Sequence, residues 1–102
     1  MENPVTGFEI PIEKFQPPNL YCYPNPVHSS TTIEFVLEKP GKVDLVFFDI
    51  YGKPVKNLIN NELRQSGVYN FPINVSQYPK GIYLIKMTID KKNTTTIKII
   101  IN

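Results

Sequence analysis

The sequence predicts an all-β protein, an antiparallel immunoglobulin-like β-sandwich of six to seven strands. Three observations predict it. From Tyr21 onward the chain divides into short runs rich in Val, Ile, Phe, Tyr and Thr, residues suited to a pleated, half-buried surface. Gly, Pro, Asn or Asp bounds each run at a spacing of roughly ten residues, as in small sandwiches. No stretch carries the period of an amphipathic helix. The 102 residues suffice for one two-layer core and not for a second. The single cysteine and the absence of Trp exclude the disulfide and buried tryptophan of antibody domains. A closed barrel is the second architecture that fits.

Residues 1–19 contain Pro4, Pro11, Pro17 and Pro18, which oppose helix and predict a Pro-rich linker or edge segment, with Phe8 to Ile12 able to pair as an edge strand. Residues 20–102 are expected to form the sandwich. Thr31 to Leu37 places Ile33, Phe35 and Leu37 on one face and Thr32, Glu34 and Val36 on the other. Pro40-Gly41 predicts a type II turn, with Gly41 supplying the positive φ. Val43, Leu45 and Phe47 continue the inward face on the returning strand. Tyr51-Gly52-Lys53-Pro54 makes the next reversal, and Asp49 before it suits the capping of backbone amides. Val55 to Ile59 reads as a short strand and Asn60 to Ser66 as an exposed loop ending at Gly67. Pro72 marks the strand Val68 to Val75 as an edge or bulge. Pro79-Lys80-Gly81 fits a type I turn, with Pro79 second and Gly81 fourth. Ile82 to Ile89 is the longest apolar strand, Asp90 to Asn93 closes a hairpin, and Thr94 to Ile101 is the last strand.

Composition narrows function. The formal net charge is +2 and the lysines are scattered, which argues against a nucleic-acid partner. No window approaches the roughly 18 apolar residues of a membrane-inserted helix. Cys22, the lone cysteine, excludes an internal disulfide and a thiolate metal cluster, and reads as a small buried hydrophobe. His28 lacks the further His and Cys ligands that zinc needs, and the adjacent Ser29 points to the opposite side of an extended chain. No nucleophile, base and stabiliser can be assembled, so neither a catalytic site, a cofactor nor a metal is expected. With Glu2, Glu9 and Glu13 and only Lys14 as a base, the first fifteen residues are not a signal peptide.

The most specific short motif is Tyr23-Pro24-Asn25-Pro26. Its prolines exclude Tyr23 and Asn25 from the helical region, predicting a stiff extended arm with the tyrosine pinned against the core. Gly52 and Gly81 read as turn residues. Tyr83 is expected to bury its ring with the hydroxyl at the rim. Lys86, Lys91, Lys92 and Lys98 make the last hairpin mildly basic, and read first as solvated lysines that protect a sheet edge.

Taken in order, Tyr23-Pro24-Asn25-Pro26, Thr31-Thr32-Ile33, Val43 to Asp49 before Gly52, Tyr78-Pro79-Lys80-Gly81-Ile82-Tyr83, and Lys98 with its isoleucine-rich ending resemble the type A C-terminal sorting domain of type IX secretion cargo. The resemblance covers Tyr21 to Asn102. Phe48, Tyr51 and Tyr78 depart mildly from the family pattern. The resemblance implies a non-catalytic sorting signal that directs a larger cargo through the periplasm and across the outer membrane, to the cell surface or medium. Its implied partners are the outer-membrane type IX translocon, a sortase-like peptidase and an upstream cargo domain in the same precursor. An export signal is then expected upstream of Met1. By the same resemblance, recognition falls to Tyr23, Pro24, Asn25, Pro26, Gly52, Gly81, Tyr83 and Lys98, and cleavage to the Pro-rich stretch before Leu20. The rival reading is an immunoglobulin-like accessory module for carbohydrate binding or adhesion. It needs several exposed coplanar aromatics, for which Tyr51, Tyr69 and Tyr78 are the candidates.

Overall fold

The alternation of apolar and polar residues produces seven strands in the computed structural model, which describes residues 19–102. The Pro-rich segment and the expected Phe8–Ile12 strand lie outside the described residues. The strands are β1 (Leu20–Tyr23), β2 (Ser30–Leu37), β3 (Gly41–Asp49), β4 (Pro54–Arg64), β5 (Gly67–Asn74), β6 (Gly81–Ile89) and β7 (Asn93–Ile101). Antiparallel pairing builds a three-stranded sheet, β1-β2-β5, and a four-stranded sheet, β4-β3-β6-β7. Their inward faces enclose one core, in which Ile33, Phe35, Leu37, Val43, Leu45, Phe47, Ile85 and Ile99 are buried. Each such side chain contributes roughly 1.5–3 kcal/mol. The strand order is that of an immunoglobulin-like sandwich.

Four local expectations are corrected. β2 and β3 lie in different sheets, so Lys39 to Lys42 is a crossover rather than a hairpin. Gly41 opens β3 without a positive φ. Its need is steric: a Cβ there would meet Ile89 Cγ2 at 2.9 Å and Asp90 Oδ2 at 3.2 Å. Asp90 comes this close because its N–H donates to the Lys42 carbonyl (2.8 Å) while its Oδ1 accepts from the Lys42 N–H (2.9 Å). Secondly, Asn60 to Arg64 is not loop but the second half of β4, which leaves only Gln65 and Ser66 to connect it to β5. β4 follows β3 through shifts of register. Asn61 takes a φ of 52° and donates its N–H to Asp44 Oδ1 at 2.9 Å, so a carboxylate stands in for a ladder partner at the irregularity.

Thirdly, the hydrogen-bonded turn before β6 is Val75 to Tyr78, closed by the Tyr78 N–H on the Val75 carbonyl (3.0 Å), three residues earlier than expected. Finally, Val36 is buried along with the inward residues of β2, although it lies on the opposite face. The Asn19 carbonyl accepts its N–H at 3.1 Å. The remaining turns follow their chemistry. Gly52 has a φ of 83°, and both Asp90 and Lys91 take positive φ in the β6–β7 hairpin, as a primed turn requires.

Candidate functional site

Pairing registers bring the separated motifs to one end of the sandwich. Asp49 lies opposite Tyr83, Tyr83 opposite Ile99, and Gly81 opposite Ile101. Val27 forms a parallel bridge with Ile101. The end of β3, the start of β6, the end of β7 and the segment after β1 therefore form one continuous edge of structure.

Asn25 carries the longest-range ties in it. Its Nδ2 donates to the Lys98 carbonyl at 3.0 Å, and its Oδ1 accepts the Ile100 N–H at 3.0 Å, spanning 73 and 75 residues of sequence. One carboxamide thus offers a donor and an acceptor to a strand edge as a backbone peptide would. The real backbone continues the pattern: the Val27 N–H donates to the Ile100 carbonyl and the Asn102 N–H to the Val27 carbonyl, both at 2.8 Å. Val27 itself is fully buried.

The segment that presents Asn25 is not the extended arm expected. Residues 24–26 bend, because the chain must pass here from the edge of one sheet to the edge of the other. The Tyr23–Pro24 and Asn25–Pro26 peptide bonds are both cis. Tyr23 is not pinned against the core but is 49% exposed, its hydroxyl donating to Glu34 Oε1 at 2.8 Å. That bond to a carboxylate pushes its phenol above the ordinary range. The Pro24 carbonyl accepts from Thr31 Oγ1 at 2.9 Å. Thr31 Oγ1 also lies 3.3 Å from Cys22 Sγ, whose thiol is pushed up by burial, the Thr31 contact opposing this. Pro26 is exposed between Asn25 and the buried Val27.

The other motif residues fall where their chemistry places them. Asp49 organises the β3–β4 turn: its Oδ1 accepts the N–H groups of Tyr51 and Lys53 at 2.9 Å each, and its carbonyl accepts from Gly52. The Tyr83 ring lies 5.1 Å from Phe47, and its hydroxyl donates to the Pro79 carbonyl at 2.7 Å. This is the tyrosine corner of immunoglobulin-like sandwiches, and it anchors the approach to Gly81. Lys98 sends its exposed side chain to the outer face of β7 while its carbonyl is held by Asn25. Sequence reasoning missed the supporting roles of Thr31, Glu34 and Pro79. Nothing local marks them, because each acts on a motif residue brought to it by folding or by a turn.

The arrangement offers shape and edge hydrogen-bonding groups rather than reacting ones. Among the described residues, no three His, Cys, Asp or Glu side chains gather to hold a metal. Tyr69 and Tyr78, two of the three candidates for a sugar-binding platform, are half-buried, stacked on Phe35 and edge-on to Phe47 respectively. Tyr51 is 91% exposed, and no ring among the described residues stacks with it. A family model of the secretion system C-terminal sorting domain matches residues 21–102. No curated protein matches the chain.

Proposed function

The chain belongs to the family of secretion system C-terminal sorting domains, and on that premise we propose that the motif end of its sandwich is the surface read by the outer-membrane translocon. Domains of this family are the signal that routes a cargo protein through type IX secretion to the cell surface or beyond it. The family is a sorting one and not a known catalytic one, and we assign the domain a non-catalytic role. In this reading residues 20–102 are the sorting sandwich. Residues 1–19 link it to an upstream cargo and give a sortase-like peptidase its cleavage segment.

The observation that carries the reading is the convergence of Asn25, Gly52, Gly81, Tyr83 and Lys98 at one end of the molecule through registers that pair β3, β6 and β7. Residues scattered along the sequence meet there, with Lys98 exposed and Tyr83 holding the frame. A receptor can recognise such an end by shape and by edge hydrogen bonds. The test is secretion of a signal-peptide reporter fused to the chain, in a type IX-competent host and a translocon-deficient one. Surface or medium reporter in the competent host alone supports the proposal, and reporter retained in the periplasm of both defeats it. Deleting residues 81–102 should abolish export, and export that survives the deletion would remove recognition from the motif end.

A further inference from the structure

Among the described residues the two sheets have four edge strands, and three of them are blunted. β1 is four residues long and runs into Pro24. β4 begins at Pro54, follows β3 through shifts of register and contains Asn61 in a left-handed conformation. β5 carries Pro72. The Val75 N–H donates to the Ser29 carbonyl, so odd residues of β5 face β2 and the donorless nitrogen of Pro72 lies on the free side. Such features discourage an added strand.

β7 is different. It is nine residues long, has no Pro or Gly, and pairs with β6 without a shift. The Ile100 N–H and carbonyl bond outward, to Asn25 and Val27, so by alternation the backbone groups of Thr94, Thr96 and Lys98 also point away from β6. Asn25 covers the Lys98 carbonyl. Among the described residues, the Lys98 N–H and the amides and carbonyls of Thr94 and Thr96 stay open. On the inward side this stretch presents half-buried Thr95 and Ile97. On the outward side it presents exposed Thr94, Thr96 and Lys98, with Lys86 of β6 opposite Thr96. Neither β6 nor β7 contains a carboxylate.

We propose that the β7 edge from Thr94 to Lys98 is completed by an extended strand of the translocon. The incoming strand carries apolar side chains toward Thr95 and Ile97 and carboxylates toward Lys86 and Lys98. The segment Asn25 to Val27 already occupies the other half of the same edge, which demonstrates that the edge accepts backbone-like partners. A second copy of this chain is the poorer occupant, because it would bring Lys98 to an edge that already carries Lys98 and Lys86. This inference rests on the sorting function proposed above and specifies the chemistry of its receptor.

The test uses the full chain fused to the exported reporter. Thr96→Pro removes a donor that serves no bond among the described residues, so the variant should still unfold cooperatively, while secretion falls at least about tenfold. Asn70→Pro, the same change on the free side of β5, should leave secretion unchanged. The double substitution Lys86→Glu and Lys98→Glu, at exposed side chains, should lower secretion by a similar factor and carries the test if Thr96→Pro fails to fold. A folded Thr96→Pro protein secreted at the unsubstituted level overturns strand addition. Normal secretion of the charge-reversed pair overturns the acidic partner. Concentration-dependent dimers that Thr96→Pro abolishes assign the edge to a second copy and overturn the proposal as well. Failure of the unsubstituted fusion to reach the surface at all is a separate result, which removes the sorting reading rather than this one.

Discussion

Where β1 lies against β7, the two sheets are tied by the Asn25 carboxamide, the Val27 backbone and the buried Val27 side chain. Where β4 faces β5, a groove of about 360 Å³ separates them, floored by Phe47, Leu58, Phe71 and Tyr78 and rimmed by Lys56, Asn74 and Gln77. Both seams border the same apolar core, so burial alone does not explain why one is stitched and the other left open. The difference teaches that polar ties are placed where a fixed geometry is required. The stitched seam holds β7, the strand that joins the motif residues, in one register. Among the described residues the open seam is crossed only near its closed end, where the Arg64 guanidinium of β4 lies over the Tyr69 ring of β5, 5.2 Å from its centroid.

The largest effect should come from the residue that floors the open seam and fills the core. Phe47→Ala should cost about 3–5 kcal/mol in urea unfolding, because Tyr78 and Tyr83 both pack on its ring. A loss under about 2 kcal/mol would mean that the groove lets its neighbours collapse inward, and that the seams differ in packing as well as in polar ties. Next, Asn25→Ala should cost about 1–2 kcal/mol by removing two hydrogen bonds to β7. Hydrogen exchange at Ile100 should accelerate far more than at Ile85. Equal acceleration at both would show that the stitch is coupled to the whole fold.

The third prediction concerns Cys22 on β1. Burial holds its thiol above the ordinary range, so at about pH 8 it should alkylate several-fold more slowly than a free thiol. Raising the pH through that elevated range should bring the rate up as thiolate forms, and Asn25→Ala should speed it if opening the seam exposes β1. The smallest effect is expected at the groove rim: Gln77→Ala should stay within about 0.5 kcal/mol of the unsubstituted protein. A larger loss would reveal a tie across the open seam.

Much of the fold was legible because strand periodicity reports faces directly. Ile33, Phe35 and Leu37 on β2, and Val43, Leu45 and Phe47 on β3, all face the core as their alternation requires. Periodicity does not report partners. Pro40-Gly41 carries the local signs of a hairpin, yet β2 and β3 diverge into separate sheets, and Gly41 answers to Ile89 and Asp90 rather than to a turn. Asn60 to Arg64 resembles loop because an edge strand beyond the reach of the opposing sheet has little apolar surface to display. The motif end was legible as an ordered set of residues. Its geometry was not: a side chain that substitutes for a peptide across 73 residues leaves no local trace.

The parallel bridge between Val27 and Ile101 has a mechanical consequence. A pull on the chain upstream of Leu20, opposed by a grip on β7, would run through Tyr23 to Val27 and load the ties to Lys98, Ile100 and Asn102 together, in shear. The β1–β2 ladder from Leu20 to Tyr23 would share that load. A short stretch of chain thus couples the entry of the domain to its last strand.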